Sequence, residues 1–227
     1  IYGCAKVAGE DGASPLGLLA WQLLFAAIVI GVVAVLRAEL PSLTWANLRY
    51  ATVAGVLGIT GPNLVTFTTL AHIPAGFVGV ITALAPGLTY AIAMTFRVEQ
   101  LQLQRVSGVL LGFAGVMAIL LPRGSLPSPE MLPWALAQVI APLLLAGGNV
   151  FRTLAWPPGL KPIAAASLLL STQAVTLVPL SVALDTFELP RTLLHAKDCA
   201  LVGAGILTAV FYLSAFELQK RGGAVVA

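Results

Sequence analysis

Seven apolar runs follow one another along the chain with almost nothing between them, at 14–36, 47–70, 75–96, 106–122, 133–153, 163–184 and 199–218. A helix rises about 1.5 Å per residue, so about 20 apolar residues cross a hydrocarbon core of about 30 Å. In lipid, backbone N–H and C=O groups need partners within the segment, and the α-helix supplies them. The breaks are short and hold prolines and charges, as in Arg97-Val98-Glu99-Gln100 and Trp156-Pro157-Pro158-Gly159-Leu160-Lys161-Pro162. None is long enough for a soluble domain. Charged residues make up 9% of the 227, against about 25% in a typical soluble domain, which is too few to cover a water-facing globule. The chain therefore reads as an all-α integral membrane protein that crosses the bilayer several times.

The net charge of +3 does not mark a nucleic-acid binder, because the 12 Lys and Arg residues are spread thinly and form no stripe. Cys4 and Cys199 have no CxxC partner and the chain has two His, so no disulfide framework, metal or cofactor is expected. The basic residues do carry orientation. Alternate breaks hold Arg37 and Arg49, Arg97 and Arg105, Arg152 and Lys161, and Lys220 and Arg221, eight in all. The opposite set holds Lys6, Arg123, Arg191 and Lys197, four in all. The richer set is assigned to the cytoplasm, in a bacterial cell inner (plasma) membrane, with His72 on the outer side.

Sliding the chain on itself by 147 residues sets Pro15 on Pro162, Gly58-Ile59 on Gly205-Ile206 and Gly76 on Gly223. Five spans per copy is an odd number, so the second copy enters from the opposite side. Inverted repeats of this kind recur in secondary transporters and place a substrate site near the midplane. The expected architecture is a ten-helix, 5+5 inverted-repeat transporter, seen truncated with about seven complete transmembrane helices. Residues 1–122 would be the first copy, with its first helix mostly missing and ending as a stub before Gly9. Residues 133–227 would be the second, its last two helices missing or cut. Gly108, Gly112 and Gly115 lie along one helix face and read as a packing surface.

Leu70-Ala71-His72-Ile73-Pro74-Ala75-Gly76, followed by a span containing Leu84-Ala85-Pro86-Gly87, resembles the EamA domain of the drug/metabolite transporter superfamily. So does Val98-Glu99 leading to Gly108-Val109-Leu110-Leu111-Gly112-Phe113-Ala114-Gly115-Val116. The resemblance covers essentially the whole chain, and its motifs identify architecture better than substrate. It implies a transporter, and the lack of a GxSxG, HExxH or Asp-rich motif argues against an enzyme.

Polar side chains inside lipid spans are costly and so are candidates for function. Trp21, Gln22, Asn63, Tyr90, Asn149, Gln173 and Tyr212 are the candidate substrate-binding residues. Thr60, Thr82, Thr89 and Gln138 are further polar groups at the same depth. Amides and phenols suit the polar groups of a small metabolite. The same side chains also read as interhelical bonds, the more ordinary role for any one of them, and Trp21 equally as a packing anchor. Pro62, Pro86 and Pro142 each remove a backbone bond, and Pro86-Gly87, lying mid-span, is the strongest kink or hinge. His72 is expected at the interface and His195 in a polar loop.

With Arg152 read into a loop, no deep Arg or Lys and no intramembrane carboxylate pair is visible, which disfavours a phosphorylated substrate. The function expected is a secondary transporter, an exporter by preference, of a small polar or amphipathic metabolite such as an amino acid, by alternating access. The alternative is a membrane scaffold or a membrane-embedded enzyme without a recognisable motif. The partners are the metabolite and the lipid bilayer, with monomer or homodimer left open.

Overall fold

Pro15 and Pro162 each open a helix of 22 residues, α1 (Pro15–Leu36) and α6 (Pro162–Ala183), and both helix bounds are 147 residues apart. Proline fits the first turn because its missing N–H has no helical partner there in any case. The computed structural model describes residues 14–120, 129–187 and 196–222. The other described helices are α2 (Trp45–Leu70), α3 (Ala75–Thr95), α4 (Leu103–Leu120), α5 (Pro129–Leu154) and α7 (Ala196–Gly222). Six of these seven contain segments long and apolar enough to cross a membrane. The seventh, α4, has 18 residues. The expected stub before Gly9, together with Lys6, Arg123, Arg191, His195 and the run after Gly222, lies outside the described residues.

Helices α1 and α6 pack along each other at the centre, with α7 against α1 and α2 against α6. Ala20, Ala26, Ala165 and Ala166 are buried without exposed surface, and Leu19, Leu23, Leu169 and Leu170 fill the gaps between them. Small residues at the seam let helices approach closely where no water drives association. Helix α3 runs beside α5.

The helices are interrupted at the positions proline marks. A break at Ala83 and Leu84 divides α3 just ahead of Pro86, and Val139 divides α5 ahead of Pro142. The Gly108, Gly112 and Gly115 face differs from its expectation. A Cβ at each would meet nothing within 4 Å, so among the described residues this face packs on no neighbour.

The breaks sort to two ends of the bundle. Lys161 pairs with Glu39 at 3.2 Å, and Lys220 donates to the Leu160 carbonyl at 3.4 Å, which gathers three basic breaks at one end. Val98 packs with Ala93 and Val150 and adds the fourth. At the opposite end the His72 and Trp134 rings stack with centroids 3.6 Å apart. Ala71 and Gln102 are exposed at opposite ends, whereas Ile73 is buried. In intact cells an impermeant thiol reagent should label Ala71→Cys and spare Gln102→Cys until the membrane is opened. The reverse pattern would invert the orientation.

Candidate functional site

Proline 62 has no N–H, so the Gly58 carbonyl four residues earlier loses its helical donor. Helix α2 absorbs the defect in a π-helical turn, Val56–Thr60, and such turns concentrate at functional places. The Tyr212 hydroxyl of α7 donates to the freed Gly58 carbonyl at 3.3 Å. Two residues on, Thr60 donates to Gln173 Oε1 of α6 at 2.6 Å. Gln173 Nε2 in turn donates to the Thr52 carbonyl at 3.5 Å. Gly55 makes room for that amide, since a Cβ there would lie 2.2 Å from Gln173 Nε2.

Helix α5 reaches the same turn through Gly148. A Cβ on Gly148 would sit 2.7 Å from the Gly58 Cα and N, so the two helices cross backbone to backbone. One turn further along α5 is Arg152. Sequence reasoning placed this residue in a loop and counted no deep cation, and the structure corrects that. Arg152 lies inside α5, which runs to Leu154, and only 3% of its surface is exposed. It is enclosed because glycine at 58 leaves space, with a Cβ there 3.6 Å from Arg152 Nη1, and because the Phe216 ring covers it at 4.9 Å. The signal available in the sequence was a charge on the helical face of Asn149, only two residues before the helix ends.

The guanidinium donates from Nη2 to Asn149 Oδ1, while Nε and Nη1 are buried with no partner. The phenols of Tyr50 and Tyr212 lie within electrostatic reach of it, and the buried Tyr50 hydroxyl is also unpartnered. Among the described residues no carboxylate bridges to Arg152. Gln219 of α7 ties the same stretch of α5 down, donating to the Asn149 carbonyl at 2.8 Å and Thr153 Oγ1 at 2.9 Å. Four helices thus bring amide, phenol and guanidinium groups to one irregular turn inside an apolar bundle.

The model of the EamA-like transporter family matches residues 2–121, more than half of the chain. The chain belongs to the EamA-like transporter family. Two WAT1-related proteins of Arabidopsis thaliana are 32% and 30% identical to this EamA-like chain, each over 127 residues. Those stretches cover 52% of this chain but 36% of each relative, so the chain spans about a third of the length of the curated relatives it matches. A solved crystal structure aligns with 98% of this chain and 75% of its own, with a TM-score of 0.75 at 21% identity, which shows the fold. The membership and the six apolar helices make this a multi-pass membrane protein.

The seven candidate residues of the EamA-like chain are dispersed over several contacts. Gln173, Tyr212 and Asn149 join the π-turn cluster. Asn149 also reaches Thr89 of α3, at 3.5 Å. Gln22 donates to Thr208 at 2.8 Å and joins α1 to α7. Asn63 turns back on its own helix and donates to the Ile59 carbonyl at 2.7 Å. Tyr90 clamps the basic end, donating to the Gln100 carbonyl at 2.8 Å and accepting from the Gln102 N–H at 2.6 Å. Trp21 is half-buried and stacked on Phe25 and Phe187. Gln138 belongs to a separate cluster with Thr66, Thr69 and Thr82.

Two open grooves lie at the basic end of the EamA-like bundle, and none of the seven residues lines either. The larger, about 700 Å³, is lined by Val33, Glu39, Lys161, Leu213, Glu217 and Lys220 among others. The smaller, about 280 Å³, sits between Ser42, Asn47 and Leu160. These contacts separate two substitutions. Gln173→Ala removes an interhelical bond of 2.6 Å and should cost roughly 0.6 to 1.7 kcal/mol. Asn63→Ala removes a bond within one helix and should shift the thermal midpoint in detergent much less. Equal shifts would contradict this division of roles.

Proposed function

We propose that the protein is a secondary transporter of a small polar or amphipathic metabolite, such as an amino acid, working by alternating access. The single observation that carries this reading is the cluster of Arg152, Gln173, Tyr212 and Asn149 around the Val56–Thr60 turn, in a member of a transporter family. A site that moves a solute must replace part of its hydration and still release it, and convergent polar groups beside irregular backbone meet that demand. Two amide–hydroxyl bonds support an inverted repeat, with 1–122 and 133–227 as its copies. Gln22 joins α1 to Thr208 of α7, and Gln173 joins α6 to Thr60 of α2. Exchanging α1 with α6 and α2 with α7 turns one pairing into the other. The equal lengths of α1 and α6 support the same reading.

Export is the direction we favour, across a bacterial inner (plasma) membrane. The basic end is assigned to the cytoplasm because, with Arg152 inside α5, its Lys and Arg residues still outnumber those of the other end seven to four. The test is counterflow. Proteoliposomes holding the full-length protein, preloaded in turn with amino acids, aromatic acids and neutral metabolites, should accumulate at least one labelled solute above protein-free vesicles. Uptake equal to the protein-free control across the panel would sink the reading.

A further inference from the structure

We propose that Arg152, with the Tyr50 hydroxyl beside it, is the seat of a single carboxylate group on the transported solute. The proposal rests on the transport reading above and adds to it the chemical class of the solute.

A buried guanidinium is costly unless its charge and its five N–H donors are met. Arg152 is 97% buried by the 3% exposure it retains, and it spends only Nη2 on a protein acceptor, the neutral amide of Asn149. Nε and Nη1 have no partner, and neither does the Tyr50 hydroxyl, itself on a side chain only 4% exposed. The Phe216 face answers part of the charge and none of the N–H groups. A cation kept inside the membrane only to hold helices together would be paired with a carboxylate or with backbone carbonyls, and Nε and Nη1 have neither. No described carboxylate bridges to it. The cluster therefore has one positive charge and at least three directional donors to offer to an anion.

The donor set selects the kind of anion. A guanidinium presents parallel N–H groups that match the two oxygens of a planar carboxylate. One cation balances one negative charge, whereas a phosphate dianion would leave a net charge in an apolar site. Lys220, the next cation along α7, is engaged elsewhere, at the Leu160 carbonyl and 6.0 Å from the Trp156 ring centroid.

The fold also supplies a route. Helix α7 stands between this cluster and the groove of about 700 Å³. It turns Tyr212, Phe216 and Gln219 toward α2 and α5, and Leu213, Ser214, Glu217 and Lys220 toward the groove. Its attachment on the inner face includes the Tyr212 bond to Gly58, the Gln219 bonds to Asn149 and Thr153 and the Phe216 ring over Arg152. A path from the groove to the guanidinium requires α7 to release those bonds and the Phe216 ring, which covers Arg152 at 4.9 Å, to move aside.

The test uses purified full-length protein in detergent and reads binding directly by calorimetry, with L-phenylalanine, L-phenylalaninamide, phenylacetate and phenyl phosphate as probes. The two carboxylates should bind about 10-fold or more tightly than the amide, as a charge-assisted pair requires. Arg152→Gln should erase that preference. Tyr50→Phe, which retains the ring packed on Phe151, should weaken the carboxylates about 3-fold. This variant keeps the test open should Arg152→Gln fail to fold. Equal affinity for acid and amide, no binding of either acid, a preference for phenyl phosphate, or unchanged affinities in both variants would each overturn the assignment. Carboxylate binding without counterflow of any solute would overturn transport and leave the site standing. Counterflow with acid and amide handled alike would do the opposite.

Discussion

Gly148→Val is expected to leave little or no folded protein, while Gly147→Ala one position earlier should be accepted. The first substitution drives a branched side chain into backbone. A Cβ at 148 already lies 2.7 Å from both the Cα and N of Gly58 and 3.0 Å from the Leu57 carbonyl carbon. No rotamer relieves a clash with main chain, so α2 and α5 would have to separate. Overpacking a core costs about 1–3 kcal/mol, and more where nothing can yield. Separation would also displace the Gln219 bonds to α5 and the Tyr212 bond to α2, adding to the loss. A Cβ at 147, in contrast, meets nothing within 4 Å, and alanine gains up to about 1 kcal/mol over glycine in a helix. Size-exclusion profile and thermal midpoint in one detergent check both. A monodisperse Gly148→Val protein with the parental midpoint would show that the backbones do not meet as described.

The second large effect has two readouts of opposite sign. Arg152→Met should raise the thermal midpoint and abolish discrimination between carboxylate and amide solutes. Methionine keeps much of the length of arginine and brings no charge to desolvate. The effective penalty for a buried ion is several kcal/mol. Against this stand a lost hydrogen bond to Asn149 and a lost cation–ring contact, together about 2–3 kcal/mol. The balance favours the variant by about 1 kcal/mol or more, visible as a rise of a few degrees. Proteins commonly trade stability for a working site in this way. A lower midpoint with solute discrimination intact would make Arg152 a structural residue.

Sequence reading reached furthest where the signal is local. Apolar runs gave the helices to within a few residues, and Pro15 and Pro162 marked the first turns of α1 and α6. The break in α3 falls just before Pro86, because a missing N–H acts on its own helix. What the sequence left open depends on partners far away in the chain. Asn63 and Tyr90 looked alike as polar groups in spans, yet one satisfies its own helix and the other fastens a loop ten residues on. Arg152 looked like part of a basic break, since Trp156-Pro157-Pro158 follows it closely. Its burial is decided by glycines at 58 and 148, on two helices about ninety positions apart, and by the Phe216 ring. Sequence spacing within one helix carries no trace of such a meeting. The Gly108, Gly112 and Gly115 stripe meets no neighbour among the described residues, and composition alone does not name the neighbour.

The turn at Val56–Thr60 also sets a phase. A π-turn holds one residue more than the α-turn it replaces, so it offsets the two halves of α2 by about 100° of rotation. Thr52 and Gly55 before the turn face Gln173, and Thr66 and Thr69 after it face Gln138. The two polar clusters, toward opposite ends of the bundle, are therefore aimed by a single inserted residue, and Pro62 keeps it inserted. If the extra residue migrates by one position along α2, only the side chain it passes changes face, and the helix stays intact on either side. Such a shift is a small rotation at one point on a rod, delivered where Tyr212, Gln173 and Arg152 already converge.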